Sequence, residues 1–339
     1  MALLFMEGFE ADGGNANALA RKYDAIANAT GTATGRLHGT AFAVAAASRL
    51  RTRTLTSPTA IAIIGFGYQD GNVGSSAEDL EFRILAGAAD QLKLRIVTVT
   101  TSTFKVDVMR GATVLGSSAA YSTLNWHYFE LKATIHQTTG DWELRHNNSV
   151  DVSDAGPVNT ADSGAANWDT IDINNTASDA NMRLDDIYVL DGSGTDNIDF
   201  RGDSVIEGRL PTGDTVTIDW TPSSGIDHWD LLDDTNDATF VSSSVATDVD
   251  LLTFDSLSFI TGTIYGVMAM MQVGLDVTGT RTVRHKCLSG ATTGNGASQV
   301  VGTTGFTSLY EIWEQDPNTA AAWTLANLNA ADFGYELVS

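Results

Sequence analysis

Trp126-His127-Tyr128-Phe129-Glu130-Leu131-Lys132-Ala133-Thr134-Ile135-His136 sets Phe129, Leu131, Ala133 and Ile135 on one side of an extended chain, with Glu130, Lys132, Thr134 and His136 on the other. Side chains on a strand alternate faces, so this run predicts an antiparallel strand with one buried and one solvated face. Each large apolar side chain in it contributes about 1.5–3 kcal/mol when buried. The period of two recurs up and down the chain. Leu80, Phe82 and Ile84 alternate with Glu81 and Arg83; Leu92, Leu94 and Ile96 with Lys93 and Arg95; Phe104, Val106 and Val108 with Lys105 and Asp107; Trp142 and Leu144 with Glu143 and Arg145. Turn signals separate these runs at Arg110-Gly111, Thr139-Gly140-Asp141 and Asn147-Asn148. Many strands at this spacing predict an all-β chain folded as a two-sheet sandwich or barrel. Ser149 to Trp168, rich in Asp, Ala, Gly and Asn, reads as a long surface loop.

The chain has 339 residues, of which 42 are acidic and 19 basic, for a net charge of −23. Its length suggests about two domains. Apolar residues make up 43 % and charged residues 18 %, a globular balance. The acidic excess argues against nucleic acid as a partner and against an anionic membrane surface, since both need clustered Lys and Arg. No run approaches the ~18–20 apolar residues of a spanning helix, so no membrane insertion is expected. The N-terminal Met1-Ala2-Leu3-Leu4-Phe5-Met6-Glu7 has no basic leader, and no signal peptide is expected. The single cysteine, Cys287, excludes an internal disulfide and a Cys-based zinc site.

The strand-like Arg183 to Leu190 runs into Asp191-Gly192-Ser193-Gly194, and a domain boundary is placed after Asp203, giving domains 1–203 and 204–339. The first holds 15 basic and 25 acidic residues, the second 4 and 17. In the second, Thr263 to Val273 is apolar on both faces, which predicts a central strand or an interface strand, with Thr280 to Leu288 and Phe306 to Trp313 as neighbours. A short C-terminal helix begins at the capping residue Thr324, with Leu325 and Leu328 on one face.

No nucleophile elbow, zincin helix or phosphate loop is present, and the six histidines (38, 127, 136, 146, 228, 285) are scattered. A strand carrying alternate acids, as a sandwich glycosidase would need for its paired carboxylates, is also missing. Glu314-Gln315-Asp316 begins one and is ended by Pro317. A non-enzymatic protein is expected. Asp191, Asp196, Asp199 and Asp203 form one candidate Ca²⁺ cluster, and Asp230, Asp233, Asp234 and Asp237 another. Ca²⁺ takes 6–8 oxygen ligands, but solvated acidic turns, where Asp bonds its own backbone, are the favoured reading of such residues. Trp168, Trp126 and His127 are the candidate carbohydrate-binding residues, because an aromatic ring stacks on a sugar's apolar face. Trp168, following a polar loop, is expected to be the exposed one.

Trp126 to Lys132, followed by Gly140-Asp141-Trp142-Glu143-Leu144-Arg145-His146-Asn147-Asn148, resembles the core of a concanavalin A-like (laminin G-type) jelly roll. Asn148 stands where that family carries Gly. Leu184-Asp185-Asp186-Ile187-Tyr188-Val189 is similar to its closing strand. Asp199-Phe200-Arg201-Gly202-Asp203, Leu210-Pro211-Thr212-Gly213-Asp214, Asp219-Trp220-Thr221-Pro222, Ile312 to Thr319 and Ala322-Trp323-Thr324 resemble motifs of tailed-bacteriophage virion proteins of the fibre, spike or head-decoration kind. The resemblance implies a jelly-roll sandwich followed by a smaller β-sandwich. It further implies a location on the virion, contacts with other virion proteins, an oligomer (commonly a trimer) and host-surface carbohydrate as a ligand. A plain decoration with no ligand, or a polysaccharide hydrolase, are the alternatives.

Overall fold

The computed structural model describes residues 2–11, 16–28, 31–71, 79–176, 182–234, 236–257, 262–302 and 304–339. It divides into two compact units, Met1–Ile206 and Glu207–Ser339. The first unit is a sandwich of two eight-stranded antiparallel sheets, the concanavalin A-like jelly-roll architecture. In the first sheet the order is Ser149–Ser153, Asp141–His146, Trp126–Thr134, Ile61–Asp70 and Met182–Leu190. Thr40–Val44 and Leu3–Glu7 then pair with different halves of Met182–Leu190, and Gly31–Thr34 closes the edge. The second sheet runs Thr113–Ser117, Thr103–Arg110, Ala89–Thr100, Asp79–Ala86, Thr170–Asn175, Arg49–Arg51 and Ala25–Ala27, with Tyr121–Ser122 added beside Thr103–Arg110.

The core lies where the alternation places it. Phe129, Leu131, Ala133, Phe66, Leu80, Phe82, Ile84, Leu94 and Val106 are all fully buried between the sheets. Phe66 of one sheet stacks on Phe82 of the other, ring centroids 3.8 Å apart, and Tyr68 meets Phe104 edge-on at 5.1 Å. Such pairs add to the area term of burial.

Three local expectations change. The outward side of Trp126–Thr134 is not solvated along its whole length: Tyr128 and Glu130 are buried there too, for a reason given below. Ser149 to Trp168 is not all loop, since Ser149–Ser153 pairs with Asp141–His146 and the stretch ends on a buried indole. A second helix, Ala16–Lys22, lies near the N-terminus. Seven residues are too short for an apolar 3.6-residue stripe to stand out in sequence.

The second unit is a six-stranded antiparallel sheet, Pro211–Ile218, Val249–Phe254, Asp332–Leu337, Arg281–Ser289 and Thr292–Asn295 in order, with Gln299–Val301 also on Arg281–Ser289. Val267–Val273 pairs with Thr307–Trp313 as a separate two-stranded ribbon, so it is not a central strand. Of its two expected neighbours only Phe306 to Trp313 is hydrogen-bonded to it. Arg281–Ser289 lies in the layer beneath. Val267 and Ala269 pack with Cys287, Phe333 and Trp323, and Met271 and Val273 with Val283 and Leu337. Layering thus accounts for one of the strand's two apolar faces; Met268 and Met270 on the other are half-buried. The helix Leu325–Asn329 starts where expected: Thr324 accepts a hydrogen bond from the Asn327 amide at 3.1 Å.

Candidate functional site

The largest gathering of buried ionisable groups lies on the outward face of the first sheet. Two glycines make it possible. Gly65 and Gly67 occupy outward positions of Ile61–Asp70, opposite Glu130 and Tyr128 on the neighbouring strand. Without side chains they form a floor, as glycine does where another group must approach a strand closely. The Tyr188 ring lies across Gly65, where an added Cβ would sit 2.1 Å from its Cε1, and Arg36 lies across Gly67.

From there Tyr188 donates its hydroxyl hydrogen to Glu130 Oε1. The same oxygen accepts the main-chain N–H groups of Arg201 (2.9 Å) and Gly202 (2.8 Å). The other oxygen, Oε2, is buried without a hydrogen-bond partner. Arg36 donates from Nε to Asp186 Oδ2 at 2.7 Å and from its main-chain N–H to Asp185 Oδ2 at 2.7 Å, and also pairs with Asp203. Its guanidinium stands 4.8 Å over the Tyr128 ring, and the Tyr128 hydroxyl donates to the Asp186 carbonyl. The adjacent acids share a bulge, with register lost between Asp185 and Tyr188 and Asp186 at φ 51°.

Residues 199–206 strap this network down. Asp199 pairs with Lys132 at 3.0 Å, and Phe200 lies under the Arg145 guanidinium at 3.9 Å. The Asp203 main-chain N–H donates to Asn148 Oδ1, and Ile206 N–H donates to Asp186 Oδ1 at 2.7 Å. Gly202, at φ +77°, makes the turn that aims two amides at one carboxylate oxygen. The strap is why Glu130 is buried, and Arg36, which the strap's Asp203 holds, covers Tyr128. Burial, with the neighbouring Asp186 charge second, pushes the Asp185 carboxyl up to about 7. Burial also raises Asp186, against the pull of Arg36, and holds Tyr128 and Tyr188 well above the ordinary tyrosine range. A neutral acid beside a carboxylate and two tyrosines has the composition of an acid–base site. Here its donors and acceptors, Glu130 Oε2 apart, are met by the chain itself.

The residues expected at a carbohydrate site are dispersed. Trp168 is 1 % exposed, which corrects the expectation of an open platform. Its indole N–H donates to the Ile61 carbonyl at 2.7 Å, and its backbone bridges to Thr59. His127 is also buried, facing the interior. Its Nε2 lies 2.9 Å from the Ser122 carbonyl, which assigns the proton there and leaves Nδ1 to accept from His146 Nε2 at 3.0 Å. Burial lowers both histidines, so the pair is neutral at pH 7. Trp126, one residue earlier and therefore outward, is half-buried and is the one of the three at the surface.

The acidic candidates do not converge. Asp191 accepts from the Ser193 amide, Asp196 lies by Thr195, Asp199 pairs with Lys132, and Asp203 with Arg36. In the second set, Asp234 accepts from the Asn236 amide. Among the described residues no three His, Cys, Asp or Glu side chains are gathered as a metal would need. Glu130, Tyr188, Arg36 and Asp186 were missed by sequence reasoning. The usable signal was Gly65-Phe66-Gly67 in mid-strand, which marks a close approach without naming what approaches.

No family model matches the sequence, and no curated protein does. Solved structures similar to the chain include the T. cruzi calreticulin globular domain (8 % identity, TM-score 0.37, 56 % of this chain and 88 % of that one). An alginate lyase from Chlorella virus is similar over 52 % of this chain and 97 % of its own, at 10 % identity and TM-score 0.38. Domain 4 of an extracellular arabinanase from Geobacillus stearothermophilus, in complex with arabinotriose, shares 11 % identity and a TM-score of 0.35 over 56 % of this chain and 92 % of that one. Likenesses this distant say nothing of ligand or reaction.

Proposed function

We propose that the chain is a non-enzymatic structural and adhesive component of a bacteriophage particle, which attaches to other virion proteins as an oligomer and holds host-surface glycan. The observation that carries the non-enzymatic part is the occupancy of Glu130: its Oε1 takes the Arg201 and Gly202 amides and the Tyr188 hydroxyl. A catalytic acid must reach a substrate proton, and both oxygens of this one are buried, with Oε1 held by the protein's own strap. The acid-rich composition supports the rest, since a net charge of −23 keeps copies soluble at high local density. The virion location rests on the sequence resemblance.

A second reading, decoration without a ligand, is favoured by the burial of Trp168 and His127. Trp126 separates the two. Gold-labelled antibody against the chain should decorate intact particles, and unlabelled particles would remove the virion reading. On a glycan array the protein should bind, and Trp126→Ala should lose that binding while melting at the same temperature. An array without signal would leave decoration as the function.

A further inference from the structure

The outward face of the second sheet departs from the charge of the rest of the molecule. Arg49, Arg51, Arg83, Lys93, Arg95 and Lys105 all project from it, six of the chain's 19 cations. The facing acids are Asp172, Asp107, Glu81 and Asp90. Two of them lie underneath: the Asp172 and Asp107 side chains are 0 % and 2 % exposed, while Arg49, Arg95 and Lys105 are 33 %, 31 % and 34 % exposed; Glu81 and Asp90 stand level with their partners Lys93 and Arg83. At Asp172 and Asp107 the acids serve as pedestals and the cations as the surface.

Asp172 shows the arrangement best. It sits between Arg51 and Arg83 in the cross-strand register and accepts from three guanidiniums: Arg49 at 2.7 Å, Arg83 at 3.3 Å and Arg51 at 3.4 Å. Arg83 is also paired with Asp90, so the excess at Asp172 comes from Arg49 and Arg51 over one carboxylate; across the face the six cations stand against these four acids. The register extends the row from Arg83 to Lys93, and a second row runs Glu81, Arg95, Asp107. Neighbouring strands are about 4.8 Å apart, and positions two residues apart on a strand are about 6.8 Å apart. Arg51 to Lys93 therefore spans about 14 Å, three strand spacings, across the sheet. Asp172 and Asp107 are held below the usual carboxylate range: burial works against their charge, but their cationic partners outweigh it.

From this placement we propose that the cationic face of the second sheet binds a linear acidic polysaccharide, one carrying carboxylate or sulfate groups on successive sugars. The proposal rests on the adhesive reading and names its ligand class, on a face separate from Trp126. Charge complementarity selects an anion. Among anions, the adhesive reading with a glycan as ligand selects a polysaccharide. Each contact is exposed and weak, so affinity comes from repetition along the chain and falls with salt.

The test is affinity electrophoresis of the full-length protein through gels containing polygalacturonate, dextran sulfate or neutral dextran, at low and at physiological salt. Arg51→Gln with Lys105→Gln removes two surface cations yet leaves Asp172 to Arg49 and Arg83, and Asp107 to Arg95. Arg209→Gln with Arg281→Gln removes two charges from the second unit as a control. The proposal expects retardation by both polyanions and not by dextran, weakened by salt. It expects the face variant to bind about fivefold less tightly per charge removed, with unchanged melting, and the control variant to bind as the parent does. Unretarded parent protein at low salt, or equal loss in both variants, overturns it. Low-salt self-association that the face variant abolishes, without polyanion binding, overturns it in favour of a second copy as the occupant. Particle labelling is read separately, so absence from virions and absence of polyanion binding are distinct failures.

Discussion

Leu131 and Lys132 are neighbours in sequence and opposites in surroundings. Leu131 is fully buried between the sheets, and the Lys132 ammonium is partly exposed beside Asp199. Leu131→Asp puts an unpaired charge in the core and should cost more than about 4 kcal/mol, enough to unfold the first unit. Lys132→Gln loses one exposed ion pair and should cost less than about 1 kcal/mol. Urea unfolding of both variants reads the difference directly. Gly65→Ala tests the floor beneath Tyr188. The new methyl has to displace a ring fixed to Glu130, so a loss of about 1–3 kcal/mol is expected from overpacking. At this scale the alternation of side chains was legible and their partners were not. Trp168 reads as exposed because its neighbours in sequence are polar. Its partner, the Ile61 carbonyl, is 107 residues away.

Among the elements, the strands of the first unit could be read almost directly, because period two appears wherever one face is buried. Glu130 shows where that logic ends. An outward acid on such a strand reads as solvated, and only the strap at residues 199–206 buries it. Contacts between segments some 70 residues apart leave no trace in local pattern. The ribbon Val267–Val273 is a similar case, since apolar side chains on both faces fit a central strand as well as one layered on a second sheet. The C-terminal helix was legible because its cap is local. Thr324→Ala removes that cap and should lower the stability of the second unit by about 1 kcal/mol, visible as a lower melting temperature.

Across the whole molecule two buried groups, Asp185 in the first unit and His285 in the second, should contribute to stability with opposite pH dependence. Asp185 titrates near 7 in the folded first unit, against an ordinary value of 3.8. A raised carboxyl favours the folded state while protonated. Its contribution is therefore present below about pH 4 and is lost as pH rises through about 7. His285 in the second unit is buried, and burial pushes it down to about 4 from 6.5. A lowered imidazole favours the folded state while neutral, so its contribution is present above about pH 6.5 and is lost as pH falls towards 4. Hydrogen exchange resolved by peptide between pH 4 and 8, read as the difference between parent and variant, should show these two contributions. Asp185→Asn should flatten the first and His285→Gln the second. Slopes that survive the substitutions would assign the pH dependence to other groups.

The account as a whole holds that the buried acids of the first unit serve the fold and not a reaction. The most direct measurement is release of reducing ends or unsaturated sugars from a panel of neutral and acidic polysaccharides by the purified full-length protein. No release above a heat-denatured control is predicted. Release that Glu130→Gln or Asp186→Asn abolishes, in a variant that still folds and melts like the parent, would contradict it.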